Sequence, residues 1–124
     1  MSKPVSGKRD ENEIQSQFMD FFRLVEAEMV TRHGKKEGKK IFSKALEASV
    51  VQLLDDRKSS NKYFARNKQV SAEPILSVRQ GLLASFRKCR RKIYDRYGGS
   101  EKGRPVFASA LCSAKNIFLY HPNR

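Results

Sequence analysis

The stretch PILSVRQGLLASFRKCRRKIYDRYGG, residues 74–99, decides the fold. Wound as a helix at about 100° per residue from Ile75, it brings Ile75, Val78, Leu82, Phe86, Cys89, Ile93 and Tyr97 within about 60° of one line. That is a packing stripe. The same winding sends Arg87, Lys88, Arg91 and Lys92 to about 120°, 220°, 160° and 260°, the far side of the cylinder, with Arg90 and Arg96 on the flanks. Pro74 suits a first helical turn and Gly98-Gly99 suit a left-handed stop, so a helix is predicted over about 73–97.

Upstream, Ile14, Phe18, Phe21, Phe22, Val25 and Met29 recur at spacings of three and four, and Gly34 follows Arg32 and His33. This predicts helix one over 11–33. The cationic run Gly34-Lys35-Lys36-Glu37-Gly38-Lys39-Lys40 reads as a connection into a second periodic run, Ile41 to Leu54, with a helix over about 38–56. Between Arg57 and Pro74 the period weakens; Ser60 or Asn61 is a candidate cap for a short helix near 61–68. Downstream, Ser100 to Arg104 reads as a loop, and Pro105 opens a fourth helix over about 105–115. Ile117 to Tyr120 either continues it or is extended. No alternating strand and no internal repeat emerge from the sequence pattern. The expected fold is all-α, a bundle of four helices, or five if the short segment is helical. One helical domain over 11–120 is expected, with a basic tail at 1–10 and a loose end at 121–124.

The 124 residues carry 26 Lys and Arg against 13 Asp and Glu, a formal net charge of +13. With a pI of about 10.1 and a mean hydropathy of −0.66, the chain is strongly basic. Eight Phe and four Tyr nonetheless supply a modest core, enough for one folded body rather than a disordered polycation. No apolar run approaches a membrane span and the first residues lack a signal-peptide pattern. A soluble intracellular protein, cytoplasmic or nuclear or nucleoid, is the expectation. Cys89 and Cys112 are too few for a disulfide scaffold or a cysteine-based zinc site, and both read as small buried hydrophobes. The other reading of Cys89, flanked by Lys88 and Arg90, is a reactive thiol.

Six cations between Arg87 and Arg96 are answered in that stretch by Asp95 alone. Arg87 with Arg91, and Lys88 with Lys92, are like-charge pairs at i and i+4, each costing an isolated helix roughly 0.2–0.5 kcal/mol. The helix dipole accounts for cations in the last turn, Arg96 and in part Lys92, but its effect fades before Arg87 and Lys88. A phosphate backbone would offset the repulsion, because binding releases condensed counterions. The candidate phosphate contacts are Arg87, Lys88, Arg90, Arg91 and Lys92, extended by Lys35, Lys36, Lys39, Lys40, Lys62 and Arg66. Tyr63, set between Lys62 and Arg66, is a candidate to stack an unpaired base, while Phe64 beside it reads as a plug for the core.

Catalysis is not expected. The glycine–lysine run lacks the Gly-Lys-Ser/Thr ending and a preceding strand, so it is no nucleotide loop. Asp55 and Asp56 are adjacent and diverge on a helix, beside Arg57 and Lys58, and neither His33 nor His121 has a ligand at metal spacing. No cofactor and no metal are expected. The cations gather at the C-terminal half of their helix and a long gap precedes it, which suits phosphate contact better than base reading by a helix-turn-helix. The sequence therefore points to a small basic nucleic-acid-binding protein, DNA or RNA, of low sequence specificity. The alternative is a helical interaction module, an adaptor or inhibitor, pairing with itself or another protein through helix one. Met19, Leu24 and Val30 lie off that helix's main stripe and widen its apolar perimeter.

Overall fold

The computed structural model describes residues 7–120. The fold is all-α, a small helical bundle, with no strand among the described residues. Its helices are α1 (Gly7–His33), α2 (Lys35–Leu54), α3 (Arg57–Arg66), α4 (Ile75–Arg96) and α5 (Ser100–Tyr120), with a 3₁₀ turn at Lys68–Ser71 between α3 and α4. The expected tail, as far as residue 6, and the expected loose end at 121–124 lie outside the described residues. From Gly7 onward the chain is helical, four residues ahead of the expected start of helix one.

The chain divides into two compact units. One runs from Phe22 to Arg87; the other joins the described residues up to Phe21 with those from Lys88 onward. Helices α1 and α4 each give a segment to both.

In the Phe22–Arg87 unit the reversal between α1 and α2 is one residue long. Gly34 stands at φ 92°, its N–H bonded to the Val30 carbonyl at 2.8 Å, and the Gly38 N–H bonds back to the Gly34 carbonyl at 2.7 Å. Only glycine adopts that φ without strain. The lysines read as a connecting loop thus belong to α2, because lysine is a good helix former and the single left-handed glycine turns the chain by itself. Gly38 is buried against the α1 backbone, where a Cβ would lie 2.5 Å from Val30 Cα. Beyond this turn Phe22 packs on Phe42 and on Phe86, ring centroids 6.1 Å apart in each case. Ile41, Ala45, Leu46, Val70, Leu82 and Leu83 complete the core.

Helix α3 starts four residues before the expected short helix, and its cap is neither Ser60 nor Asn61. Asp56 accepts the Ser59 N–H at 2.8 Å; an ionised carboxylate also complements the helix N-terminus. No residue of α3 is fully buried. It is held by Tyr63, whose hydroxyl donates to Glu47 of α2 at 3.2 Å, and by Phe64. From α4, Arg79 donates to the Val70 carbonyl at 2.9 Å and to Ser71 Oγ at 3.3 Å while its guanidinium lies 4.8 Å over the Phe64 ring.

The second unit uses the same device. Gly98 and Gly99 stand at φ 81° and 141°, the Gly99 N–H bonds to the Tyr94 carbonyl at 2.7 Å, and the Gly103 N–H bonds to the Gly99 carbonyl at 3.0 Å. A Cβ on Gly103 would lie 3.0 Å from Tyr94 Cα. This turn launches α5 at Ser100, five residues before the expected start, so Pro105 lies within the helix and the expected loop over 100–104 is helical. The helix continues to Tyr120, which settles the Ile117–Tyr120 alternative. Phe18 of α1 meets Phe107 of α5 edge-on at 6.1 Å, and Ile14, Met19, Ile93, Ala110, Leu111, Ala114 and Phe118 are buried in this unit.

Candidate nucleic-acid interface

In the unit beginning at Lys88, α4 presents Lys88, Arg91 and Lys92 exposed, with Arg90 half-buried and Arg96 exposed. Ile93 on the opposite face is buried. No side-chain hydrogen bond or ion pair engages Lys88, Arg90, Arg91 or Lys92 among the described residues. Three cations thus stand together in solvent on one helix face, and although Asp95 is exposed one turn beyond Arg91, no ion pair joins them among the described residues. Sequence reasoning left out Lys102 and Arg104, read as loop; both are exposed on α5.

The Phe22–Arg87 unit carries two further cationic groups. Lys35, Lys36, Lys39 and Lys40 are all exposed over the first turns of α2, and Lys62 and Arg66 are exposed one turn apart on α3. The lysine group sits at the N-terminal end of a 20-residue helix, about 30 Å long, while α3 follows its C-terminal end. Arg87 is exposed at the end of this unit.

Tyr63 and Phe64 are both half-buried, set edge to face at 5.1 Å. The Tyr63 hydroxyl is spent on Glu47, and Arg79 covers Phe64. The rings therefore anchor α3 rather than stand free between Lys62 and Arg66. Tyr97 is half-buried, not fully in the core, and donates to Asp10.

Cys89 is half-buried. Burial pushes its thiol up from the usual 9.0, outweighing the opposing pull of Lys92 and Arg96. Cys112, expected inside, is exposed on α5. Among the described residues no group of His, Cys, Asp and Glu is placed to hold a metal ion, and no helix is long and apolar enough to cross a membrane.

The widened apolar perimeter of α1 is largely consumed within the molecule. Met19 is buried and Val30 lies under Gly38, leaving Leu24 exposed at 72%. Compared with known protein families, curated proteins and solved structures, the chain matches none.

Proposed function

We propose that the chain is a small basic nucleic-acid-binding protein, without catalytic activity, that grips the phosphate backbone with low sequence specificity. One observation carries the reading: Lys88, Arg91 and Lys92 stand exposed on α4 with no acidic partner among the described residues. Repulsion among them is relieved when phosphates replace water and counterions. Arg87, Arg90, Lys35, Lys36, Lys39, Lys40, Lys62 and Arg66 extend the contacts. Tyr63 supports α3 in this reading and does not stack a base.

The test is a salt titration of the intact protein with a mixed-sequence DNA duplex and with a structured RNA. The logarithm of affinity should fall linearly with the logarithm of salt concentration, and Arg87→Gln with Arg91→Gln should flatten that slope by about two. A protein that binds neither polymer, or binds with no salt dependence, overturns the proposal.

A second reading, a helical interaction module pairing through α1, rests on the exposure of Leu24. Light scattering decides it: a dimer that persists at high salt and dissociates on Leu24→Glu would favour pairing over phosphate binding.

A further inference from the structure

The two glycine reversals head matching stretches of chain. With Gly98 treated as a one-residue insertion, residues 18–54 align without further gaps to residues 82–119. Phe22 falls on Phe86, Gly34 on Gly99, Gly38 on Gly103, Phe42 on Phe107, Ala45 on Ala110 and Leu46 on Leu111. Burial follows the same register. Phe18 and Leu82, Met19 and Leu83, Met29 and Ile93 are buried on both sides, and Val25 and Cys89 are both half-buried. The close approach repeats as well: Gly38 meets Val30, and Gly103 meets Tyr94, the residue aligned to Val30. The sequence pattern hides this because the insertion shifts the register at the turn and most surface positions differ.

The aligned surface positions supply an internal control on the cationic face. Lys88, Arg90, Arg91 and Lys92 align with Leu24, Glu26, Ala27 and Glu28. Exposure agrees position by position: Leu24, Ala27 and Glu28 are exposed as Lys88, Arg91 and Lys92 are, and Glu26 is half-buried as Arg90 is. The first hairpin therefore reaches the same local fold with acidic or apolar residues where the second has four cations. In the first hairpin Glu28 pairs with Arg32 at 2.8 Å, one turn on. Its counterpart, Lys92 with Arg96, is a like-charge pair at the same spacing, replacing a small stabilisation by a small penalty.

We infer that the chain is a duplicated helical hairpin whose second copy has exchanged helix-stabilising surface for a phosphate-binding ridge of Lys88, Arg90, Arg91 and Lys92. The inference rests on the nucleic-acid reading above and adds to it that the cations of α4 are a binding feature which the first copy lacks at the matching positions. Cations that served the fold would be needed in both copies, and the first does without them. Their cost to the helix and the exposed face shared by Lys88, Arg91 and Lys92, with Arg90 half-buried at its edge, both point to an extended polyanion, which accepts several cations along one ridge.

The experiment restores the residues of the first copy in the second. Arg91→Ala with Lys92→Glu recreates the Ala27–Glu28 pattern and returns an i, i+4 acid–base pair with Arg96. The thermal midpoint of the intact protein should hold or rise, while binding to the DNA duplex weakens and its salt slope falls by about two or more. That divergence of stability and affinity is one a structural role would not produce. Arg91→Gln with Lys92→Gln removes the charge without restoring the pair, and should lower the slope with the midpoint unchanged. A lowered midpoint in both variants overturns the claim that these cations are dispensable to the fold. A wild type that binds duplex while both variants bind with the same slope overturns the ridge and leaves the nucleic-acid reading standing. A wild type that binds no duplex and no RNA overturns the nucleic-acid reading and the ridge with it.

Discussion

Tyr97, the residue after α4, donates its phenol hydrogen to Asp10 Oδ2 across 2.7 Å, tying residues 87 positions apart in sequence. Burial and, after it, this carboxylate push the phenol from 10.0 up to about 12. The neutral phenol is thus favoured by folding. Its contribution is complete below pH 10, where the unfolded tyrosine titrates, and is lost as the pH rises from 10 to 12. Tyr97→Phe should cost about 1 kcal/mol at neutral pH, the usual net worth of such a bond on a half-exposed group. The difference between wild type and variant in urea unfolding should shrink through that alkaline window. A difference that stays constant from pH 8 to pH 12 would contradict the assignment.

The glycines offer a test of three outcomes from one substitution. Gly38→Ala forces a Cβ to 2.5 Å from the Val30 backbone, and backbone cannot yield as a flexible side chain does. A loss of roughly 2–3 kcal/mol is expected, at the upper part of overpacking costs. Gly103→Ala meets Tyr94 Cδ1 at 2.8 Å and Tyr94 Cα at 3.0 Å, part side chain and part backbone, and should cost less. Gly81→Ala, exposed in α4 with nothing within 4 Å, should stabilise by about 0.5–1 kcal/mol. Chemical denaturation of the three variants gives the order directly, and a stabilised Gly38→Ala would remove close helix approach from the account.

That contrast also marks what the sequence could and could not convey. The stripe from Ile75 to Ile93 was legible because an apolar period of 3.6 is imposed by burial on one side, and Phe86 and Ile93 are indeed buried. Leu83 escaped it, lying about 80° from the stripe's centre, because a helix contacting neighbours on two sides buries a wider arc. Lys35 to Lys40 read as a loop because polarity resembles a linker, whereas the turn chemistry is confined to Gly34. The spacing of Gly34 to Gly38, repeated at Gly99 to Gly103, was the missed signal for both hairpins. The exposed faces of α4 and α2 were legible from charge, since ionised side chains stay in water unless paired. The anchoring of Tyr63 was not, because it depends on Glu47 from another helix, whereas Phe64, expected to plug the core, is half-buried beneath Arg79.

The two cysteines should react in the opposite order to that suggested by their flanking charges. Cys112 is exposed, while Cys89 is half-buried and its thiol is raised by that burial despite Lys92 and Arg96. Thiolate fraction and access both limit attack by an alkylating reagent. Under brief treatment with iodoacetamide at mildly alkaline pH, peptide mass spectrometry should find Cys112 modified first and Cys89 modified slowly until the protein is unfolded. Faster labelling of Cys89 in the folded protein would show that the cations outweigh burial.

The aromatic pair of α3 and the cations beside it are separable by substitution. Single-strand binders stack bases on exposed rings, gaining roughly 1–3 kcal/mol per base. Here the Tyr63 ring stands edge to face with Phe64 at 5.1 Å, its hydroxyl is held by Glu47, and the guanidinium of Arg79 lies over Phe64. Freeing either ring would first break these contacts. Tyr63→Phe keeps a stackable ring but loses the Glu47 bond, so it should cost about 1 kcal/mol of stability and speed amide exchange across α3. Affinity for a DNA single strand should be unchanged, and Tyr63→Ala, measured under conditions where it remains folded, should leave the salt slope unaltered. Lys62→Gln with Arg66→Gln should do the reverse, lowering the slope by about two with little change in stability. Loss of single-strand binding in Tyr63→Ala, with the fold intact by circular dichroism, would return the ring to the binding surface and require α3 to open when nucleic acid arrives.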